Sequence, residues 1–459
     1  MRLTVEHAAT RLEGPLLFLR RTIDAGLGDA VEVLGDGAPR LGRVAALDRE
    51  LMTIEVLEST SGLRLDGTIV RFFGEPLSFA LSPGVLGRVF NGVGEVTDGG
   101  PPVAATRHLA IEGLALNPVE RANPRDFIET GVTAIDLLNS LVRGQKLPLF
   151  SGGGLPHDRL AVAIATHARL RGGEQGDFAI VFAGIGVPWE SAEYFRASLA
   201  QTGALARTAL FLNLASDSST QRLLTPRFAL TAAEYLAYVE GKHVLVILTD
   251  MTNYCEALRE VSSSKGEIPS RKGFPGTMYS DLATLYERAG IVRGGAGSLT
   301  QLPILTMPAD DISHPIPDLT GYITEGQIVL SRDLDRRGLD PPVNVLPSLS
   351  RLMKDGIGAR YTHPDHPALA SQLYAAYARA VQARVLASVV GEDGLAPTDR
   401  RYLAFGDAFE RELVHQQAPR TLEESMDAGW ALLRDLPRSE LSRLSDAQID
   451  AHLGAAPQA

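Results

Sequence analysis

The sequence predicts a multidomain protein with a small N-terminal β-barrel, a central α/β domain built on a parallel sheet, and a C-terminal α-helical domain. Three observations support this prediction. Short strand-like segments separated by turns fill the first 75 residues, strands and helices alternate in the middle of the chain, and β-type signals fade after about residue 360. The predicted boundaries are 1–75, 76–355 and 356–459.

The composition is that of an ordinary globular protein. The 459 residues are enough for two or three domains, and 45% hydrophobic with 22% charged residues excludes the disordered and fibrous classes. The 55 acidic residues exceed the 44 basic ones and give a net charge of −11, which argues against a general nucleic-acid binder but leaves a local basic patch open. The one cysteine, Cys255, cannot form an internal disulfide, as expected in a reducing compartment.

No membrane-spanning segment is predicted, because no stretch approaches the roughly 18 apolar residues that a spanning helix needs. The apolar run Leu16–Leu19 is short and ends in Arg20-Arg21, so we expect no signal peptide. Peripheral association with a membrane stays open.

The first 75 residues contain short strands with tight turns between them, which predicts a small barrel. A structural cap is favoured here over a binding or catalytic site. Residues 76–130 are rich in glycine and proline and are expected to lead into the next domain. The predicted strands of the barrel are Val31–Leu34, Arg40–Leu47, Leu51–Leu57 and Thr68–Phe73.

Residues 130–345 alternate between apolar strands and helices, and this pattern predicts a parallel sheet covered on both faces. The predicted strands are Leu147–Phe150, Phe178–Ala183, Ala209–Asn213, His243–Asp250 and Leu302–Pro308. The predicted helices are Thr133–Leu141, Ala161–Leu170, Ser191–Thr202, Phe228–Val239 and Leu282–Arg288. Helical periodicity then predicts the C-terminal domain from Pro367–Val390, Pro397–His415, Thr421–Leu436 and Ser439–Leu453.

The segment Gln145–Ala161 resembles a phosphate-binding loop that has lost its chemistry. A short strand leads into three glycines and then a helix-like run, an order that places backbone N–H groups and a helix N-terminus around an anion. A working loop ends in Gly-Lys-Ser/Thr, where the lysine contacts the terminal phosphates and the hydroxyl binds magnesium. In the best register, Pro156, His157 and Asp158 fill these positions without the required N–H, charge and hydroxyl. The candidate loop residues are Ser151, Gly152, Gly153, Gly154, Leu155, Pro156, His157 and Asp158.

A second candidate is Asp250, which ends the apolar run Val244–Thr249. In a P-loop NTPase (RecA-like) domain, an aspartate at the end of such a strand coordinates magnesium through water. A buried strand that ends in aspartate is common, so this signal is weak alone. Because it follows a glycine loop in an α/β domain, we interpret it as a marker of the fold rather than as an active site.

Three other groups of residues are candidates for chemistry. Glu190 and Glu193 could orient an attacking water, but solvated charges in the first turn of a helix explain them more simply. Arg351 lies on a loop at the end of the α/β domain, where an arginine finger can stabilise charge on a neighbour's phosphate and contribute on the order of 10³–10⁵ in rate. Alone, it is typical of a surface salt-bridge residue. The pair His363 and His366 encloses a proline and lacks a third ligand, which argues against a metal site.

Several longer strings resemble the B subunit of V-type and A-type rotary ATPases, and the similarity extends from about residue 15 to about residue 440. The strings are Thr130–Asn139, Val246–Glu260, Pro315–Gln327, Pro347–Met353 and Arg400–Glu410. Because long terminal extensions are absent, we expect the bacterial or archaeal form. The chain ends soon after Leu453 and is expected to be shorter there than its relatives, which leaves the contacts of the last helix open.

The resemblance implies a non-catalytic, regulatory subunit in an alternating A3B3 hexamer around a rotor shaft, with peripheral stalk subunits as further partners. ATP or ADP with Mg would lie at the interface with the catalytic A subunit, with no cofactor tightly bound by this chain. Arg351 matches the family's arginine finger, and Val187 lies where catalytic relatives carry the glutamate that orients water. The complex would stand on the cytoplasmic face of the cell membrane, and this chain would meet the membrane only indirectly. No nucleic-acid partner is expected.

Two alternatives to this interpretation remain. A self-sufficient hexameric ATPase of the F-type or secretion type keeps an intact Gly-Lys-Ser/Thr, which this sequence lacks. A scaffold without any part in catalysis would make Arg351 dispensable. The sequence leaves open whether protons or sodium ions are coupled, whether synthesis or hydrolysis dominates, and whether the degenerate loop binds nucleotide.

Overall fold

The N-terminal residues form an antiparallel sheet that buries one side of its strands. The computed structural model describes residues 3–6, 9–113, 116–171 and 177–454. The strands are β1 (Leu3–Glu6), β2 (Ala9–Glu13), β3 (Leu16–Arg20), β4 (Asp29–Leu34), β5 (Arg40–Leu47), β6 (Leu51–Val56) and β7 (Ile69–Pro76). Their order is β1-β7-β4-β5-β6-β3-β2, and Leu17, Val33 and Ile54 lie in its own apolar core.

The glycine- and proline-rich segment that follows contributes to two sheets. Its strands are β8 (Ser78–Leu81), β9 (Val89–Asn91) and β10 (Arg107–Ala110). Strand β8 pairs with β10, whereas β9 joins the edge of the central sheet. The segment is therefore part of the α/β domain as well as a route into it.

The central region alternates strands and helices, as the sequence predicts. Its strands are β11 (Arg121–Ala122), β12 (Phe127–Glu129), β13 (Leu141–Val142), β14 (Leu149–Gly152), β15 (Arg169–Leu170), β16 (Phe178–Val187), β17 (Thr208–Leu214), β18 (His243–Thr249), β19 (Gly290–Val292), β20 (Ser298–Met307), β21 (Gly326–Leu330) and β22 (Val343–Ser350). Its helices are α1 (Thr133–Asp136), α2 (His157–His167), α3 (Trp189–Gln201), α4 (Ser219–Glu234), α5 (Met251–Ser264), α6 (Met278–Tyr286), α7 (Pro315–Ile323), α8 (Arg332–Arg336) and α9 (Met353–Gly356).

The main sheet runs β22-β21-β14-β20-β18-β16-β17-β9, and the strands from β21 to β9 are parallel. Every residue of β16 is buried. Ile180 and Phe182 face one apolar cluster, while Val181 and Ala183 face another on the opposite side. Since both faces are covered, the near-continuous apolar strands have a direct physical explanation.

Several sequence-based element predictions were wrong. The helix expected at Thr133–Leu141 ends at Asp136, where the side chains of Asn139 and Ser140 donate to the Ala134 and Asp136 carbonyls. Helix α2 starts at His157 and ends at His167 rather than at Leu170. The helices α5 and α7 and the strands β21 and β22 were not predicted.

The C-terminal helices pack on the α/β domain through polar as well as apolar contacts. They are α10 (His366–Val390), α11 (Pro397–Phe409), α12 (Leu422–Leu433) and α13 (Asp446–Leu453). Buried Glu410 accepts hydrogen bonds from Arg384 and Tyr377 of the helical domain and from Arg337 of the α/β domain. Burial opposes ionisation of Glu410, but the two arginines prevail and its pKa is lowered. Residues 455–459, which include the predicted short end, lie outside the described residues.

The multidomain fold class is confirmed, while the exact boundaries 1–75, 76–355 and 356–459 stay predictions. Within the described residues, no helix combines the length and apolar character needed to cross a membrane. The same part of the chain contains no cluster of three or more His, Cys, Asp or Glu side chains suited to a metal ion.

His366 joins the two domains instead of binding a metal. Its Nε2–H donates to the carbonyl of Leu137 at 2.9 Å, and its Nδ1 lies 3.1 Å from the Thr362 hydroxyl. The imidazole is fully buried, and this burial lowers the pKa of His366 to about 4. Burial therefore favours the neutral ring, although the hydrogen bond to Leu137 acts in the opposite direction.

We predict that the contribution of His366 to the free energy of unfolding falls as the pH drops from about 6.5 to about 4. The unfolded chain protonates His366 first, because its pKa there is the ordinary 6.5, so the stabilising contribution is complete above that value and is lost below it. The full effect is about 3 kcal/mol. Urea unfolding at several pH values measures it.

His366→Gln should flatten this part of the pH profile, since glutamine keeps a neutral donor and does not titrate. The matched control is His108→Gln, at an exposed histidine, and it should keep the wild-type profile. Equal slopes for wild type and His366→Gln would contradict the assignment.

Candidate functional site

The glycine loop lies at the carboxyl-terminal edge of the parallel sheet. Strand β14 ends at Gly152, the chain turns through Gly153 and Gly154, and helix α2 starts at His157. Gly154 has φ +81°, a conformation that favours glycine, and its surroundings leave space for an added Cβ. The strand–loop–helix order of a phosphate cradle is therefore present.

Two backbone N–H groups of the loop form hydrogen bonds within the protein. The Leu155 N–H donates to the Gly152 carbonyl at 3.1 Å, and the His157 N–H donates to the Leu155 carbonyl at 2.8 Å. Pro156 lies between them with φ −79° and ψ 42°, close to an inverse γ-turn, and has no N–H. At these three successive positions, no N–H group is left to bind a phosphate.

The side chains of the loop are also bonded within the protein. His157 Nδ1 lies 3.1 Å from the Ser151 hydroxyl, and the Ser191 hydroxyl donates to Asp158 Oδ2 at 2.8 Å. The next residue, Arg159, forms a 3.4 Å ion pair with Asp340. A loop with these contacts presents a carboxylate where a phosphate site needs positive charge.

Arg332 holds the other side of the loop. Its Nη2 donates to the Gly153 carbonyl at 2.9 Å, and its Nε and Nη2 bind Asp310 at 2.6 and 2.9 Å. These hydrogen bonds lower the pKa of Asp310. A Cβ on Gly152 would lie 2.2 Å from Asp310 Oδ1, so the close approach of this pair requires glycine.

Asp250 lies at the same sheet edge, but its oxygens are occupied. Oδ1 accepts the N–H groups of Thr252 at 2.8 Å and Thr306 at 3.1 Å, and Oδ2 accepts the Thr306 hydroxyl. Burial raises the pKa of Asp250, against the effect of these hydrogen bonds and of nearby His157. The carboxylate thus caps helix α5 and joins it to β20.

A magnesium nucleotide does not fit this chain's own loop. A bound triphosphate needs N–H donors and a cation, whereas the loop offers a proline, internally bonded N–H groups and the Asp158 carboxylate. A magnesium ion needs open oxygen ligands, whereas both oxygens of Asp250 already accept hydrogen bonds.

The remaining candidate positions, Val187, Glu190 and Glu193, do not supply a catalytic carboxylate at the loop. Val187 is buried in the core at the end of β16. Glu190 is exposed in the first turn of α3, and Glu193 pairs with Arg196 on the same helix. These contacts agree with the interpretation of both glutamates as solvated helix charges.

Arg351 lies at the opposite edge of the sheet. It follows Ser350, which pairs with Gly326 at the beginning of β21, and its N–H donates to the Glu325 carbonyl at 3.0 Å. Since β21 runs parallel to β14, this is the amino-terminal edge. At a rise of about 3.3 Å per residue, the six steps from Lys146 to Gly152 separate the two edges by about 20 Å.

The Arg351 side chain is exposed and free of carboxylates in the described part of the chain. Its Nη1 makes a long 3.5 Å contact with the Thr324 carbonyl, and no ion pair to it occurs among the described residues. The simple surface salt bridge therefore finds no support in this structure. The side chain can approach another molecule, but not the loop of its own chain.

Comparisons with known proteins agree with this architecture. Residues 10–74 match the beta-barrel domain of the ATP synthase alpha/beta family, and residues 131–350 match its nucleotide-binding domain. Residues 355–453 match the C-terminal domain of V and A type ATP synthase. A V-type ATP synthase beta chain from Halothermothrix orenii is 53% identical over 452 residues, which cover 98% of this chain and 97% of that relative.

This chain belongs to the ATP synthase alpha/beta family.

A solved structure in the same family supports the fold. ATP synthase subunit NeqB from Nanoarcheaum equitans superimposes with a TM-score of 0.75 at 36% identity, over 89% of this chain and 100% of NeqB. The resemblance to V-type and A-type ATP synthases inferred from the sequence strings is confirmed. The roles of individual residues in this family member stay predictions.

Sequence reasoning missed the partners that occupy the site. Thr306 and Arg332 lie 56 and 179 residues from the groups that they bind. Neither carries a local signal, because a threonine in a strand and an arginine at a helix start are common. Only the pairing of β20 with β14 and β18 brings Thr306 to Asp250.

We predict that Thr306→Val destabilises the folded chain by about 1.5–3 kcal/mol, because it removes a hydroxyl donor from a buried carboxylate. The isosteric change leaves no cavity. Urea unfolding of wild type and variant measures the difference.

The control is Thr202→Val, which removes an exposed hydroxyl that bonds within its own helix and should cost no more than about 0.5 kcal/mol. A Thr306→Val effect as small as the control would show that Asp250 does not depend on this bond.

Proposed function

We propose that this chain is the non-catalytic, regulatory B subunit of a V/A-type rotary ATPase or ATP synthase. It alternates with catalytic A subunits in an A3B3 ring, which encloses a rotor shaft and is held by peripheral stalks. The assembled machine couples ATP synthesis or hydrolysis to the transport of protons or sodium ions. The ring stands on the cytoplasmic face of the membrane, and this chain contacts the membrane only through the complex. The name of the similar V-type ATP synthase beta chain supports this proposal.

The observation that carries the proposal is the placement of Arg351. The side chain is exposed, lacks an ion-pair partner among the described residues, and lies about 20 Å from its own degenerate loop by strand geometry. An arginine so placed serves a phosphate held by a neighbouring chain. The nucleotide and its magnesium ion therefore lie at the interface with the catalytic neighbour.

In hydrolysis, water attacks the terminal phosphorus, the bond to the leaving ADP oxygen breaks, and negative charge spreads over the transferred group. The catalytic neighbour binds the nucleotide. Arg351 adds a fixed positive charge and a fork of N–H donors to the equatorial oxygens as this charge develops. Because the guanidinium stays charged throughout, it transfers no proton.

We place against the rotor shaft the helical domain near Gly391–Glu410 and, leading into it, the end of helix α10. Val385, Val389 and Val390 are exposed there, with Val389 78% exposed, just before the break at Gly391. Exposed apolar side chains in one place are typical of a protein contact. Arg384 binds Glu410 and Asp407, so this end is attached firmly to α11.

The alternatives make different predictions. A self-sufficient F-type or secretion-type ATPase would hydrolyse ATP as a purified single chain, whereas the occupied loop predicts no such activity. Nucleotide binding measured side by side on the isolated chain and on an A–B complex tests this: strong binding and magnesium-dependent turnover by the isolated chain would overturn the proposal. The turnover of the Arg351→Ala variant distinguishes a pure scaffold from a subunit that supplies an arginine finger.

We predict that Arg351→Ala in a reconstituted A–B ring lowers kcat for ATP hydrolysis by at least about 10³-fold, because the transition-state charge loses its arginine. Arg351→Lys should recover only a small part, since lysine keeps the charge without the planar fork. Steady-state hydrolysis per assembled ring is the measurement.

Ring assembly is checked by light scattering on the same samples, and Arg64→Ala, at an exposed arginine between β6 and β7, is the matched control. The scaffold alternative predicts nearly normal turnover for Arg351→Ala, and that outcome would rule out the arginine-finger role.

We predict that Val385→Ser combined with Val389→Ser weakens binding of the rotor shaft to the A–B ring by about tenfold or more, because each valine loses apolar burial. Hydrolysis by the ring without the shaft should be unchanged. Val119→Ser, at a valine that is 76% exposed outside the helical domain, is the control. Unaltered shaft affinity in the double variant would place the shaft elsewhere.

A further inference from the structure

A buried glutamine lies directly behind Arg351. Gln145 is completely inaccessible to solvent, in the turn between β13 and β14. A buried side-chain amide costs free energy unless its donors and acceptor are paired. The hydrogen-bond partners of this amide therefore indicate its role in the structure.

The Gln145 amide binds a carbonyl on the segment beside Arg351 and the side chain of the residue before it. Its Nε2 donates to the Glu325 carbonyl at 3.1 Å and to the Ser350 hydroxyl at 3.0 Å. The same Glu325 carbonyl accepts the N–H of Arg351 at 3.0 Å. Its Oε1 accepts the Val142 N–H at 2.9 Å. Gln145 and Arg351 thus share one acceptor, and the residue before Arg351 is bonded as well.

The two strands at this point are held by further contacts. A Cβ on Gly326 would lie 1.9 Å from the Leu349 carbonyl, so the backbones approach as closely as glycine allows. Ser350 Oγ donates to the Ser140 carbonyl at 2.8 Å. Both the β21 side and the β22 side of Arg351 are therefore fixed to the segment that carries Gln145.

The shared acceptor is itself anchored by a buried lysine. The Glu325 carboxylate accepts the Lys146 N–H at 2.8 Å, and Lys146 Nζ lies 3.1 Å from Glu325 and 2.7 Å from Glu287. The Lys146 side chain is 6% exposed. These contacts restrict the movement of Glu325, so its carbonyl keeps its position beside Gln145 and Arg351.

We infer that Gln145 is a positioning residue that fixes the backbone from which Arg351 projects toward the neighbouring chain of the ring. The inference rests on the proposed in-trans role of Arg351 and adds the part of this chain that orients it. The Gln145 side chain lies inside the chain and touches no substrate. It acts through the Glu325 carbonyl and Ser350, which set the direction in which the exposed guanidinium leaves the sheet edge.

The test is a double-mutant cycle in the reconstituted A–B ring. Gln145→Met has nearly the same shape and removes both the donor and the acceptor. We expect kcat for ATP hydrolysis to fall about 10- to 100-fold, the effect of a misplacement near 1 Å, with KM changed less than about twofold. In an Arg351→Ala background, the same change should lower kcat by no more than about twofold, because the group that Gln145 positions is gone.

The matched control is Gln372→Met. Gln372 is also buried, and its amide likewise binds backbone groups, the Glu440 carbonyl and the Arg443 N–H, but in the helical domain. The kcat of the ring that carries Gln372→Met should stay within about twofold of wild type. If Gln145→Met prevents ring assembly, Ser350→Ala replaces it, and we expect a several-fold fall in kcat that also disappears in the Arg351→Ala background.

The outcomes separate this inference from the proposed function. If Arg351→Ala keeps normal turnover, the in-trans role fails and the positioning role fails with it. If Arg351→Ala abolishes turnover while Gln145→Met and Ser350→Ala leave kcat unchanged, only the positioning role fails. A loss from Gln145→Met that is equally large in both backgrounds also overturns it, because a general structural defect would be the cause.

Discussion

The buried, apolar interior of the parallel sheet is the constraint on which the rest of this molecule depends. Strands β16, β18 and β20 are buried along almost their whole length, with apolar side chains on both faces, so charged groups have no place inside the sheet. Polar chemistry is confined to the two edges where strands begin and end. The carboxyl-terminal edge holds the glycine loop and Asp250, and the amino-terminal edge holds Arg351. The division of labour that we propose between neighbouring chains follows from this geometry, because one nucleotide cannot contact both edges of a single sheet.

Much of the fold and part of the candidate site could be predicted from the sequence. Apolar strands between helices identified the sheet, and the triplet Gly152–Gly154 with Asp250 identified its carboxyl-terminal edge, because these signals are local. The partners could not be found in this way. Thr306, Arg332 and the Gln145–Glu325 contact depend on strand pairings between residues that are far apart in the chain. The helix that was expected to reach Leu141 ends early for a local reason, since the Asn139 and Ser140 side chains donate to the Ala134 and Asp136 carbonyls.

The segment from Arg332 to Arg337 connects the loop with the helical domain. Its first arginine binds the Gly153 carbonyl, and its last one binds Glu410, which also accepts Arg384 near the exposed end of α10. Glu410 is buried, and an ion pair to a buried carboxylate contributes little net stability when complete but is costly to break. The Arg332–Asp310 pair at the loop is more exposed. A displacement of the helical domain would therefore act on the loop through a short path of charged groups. This physical continuity gives a structural reason for keeping the loop ordered that is separate from nucleotide binding.

The bonded N–H groups of the loop have a consequence for redesign. A change of His157 to lysine alone would place a cation beside Pro156, which has no N–H, and beside the hydrogen bond from the Leu155 N–H to the Gly152 carbonyl, while Arg332 would still hold the Gly153 carbonyl. The loop backbone and its bond to Arg332 would have to change together with the side chain. An engineered phosphate site in this chain therefore needs several simultaneous substitutions rather than one.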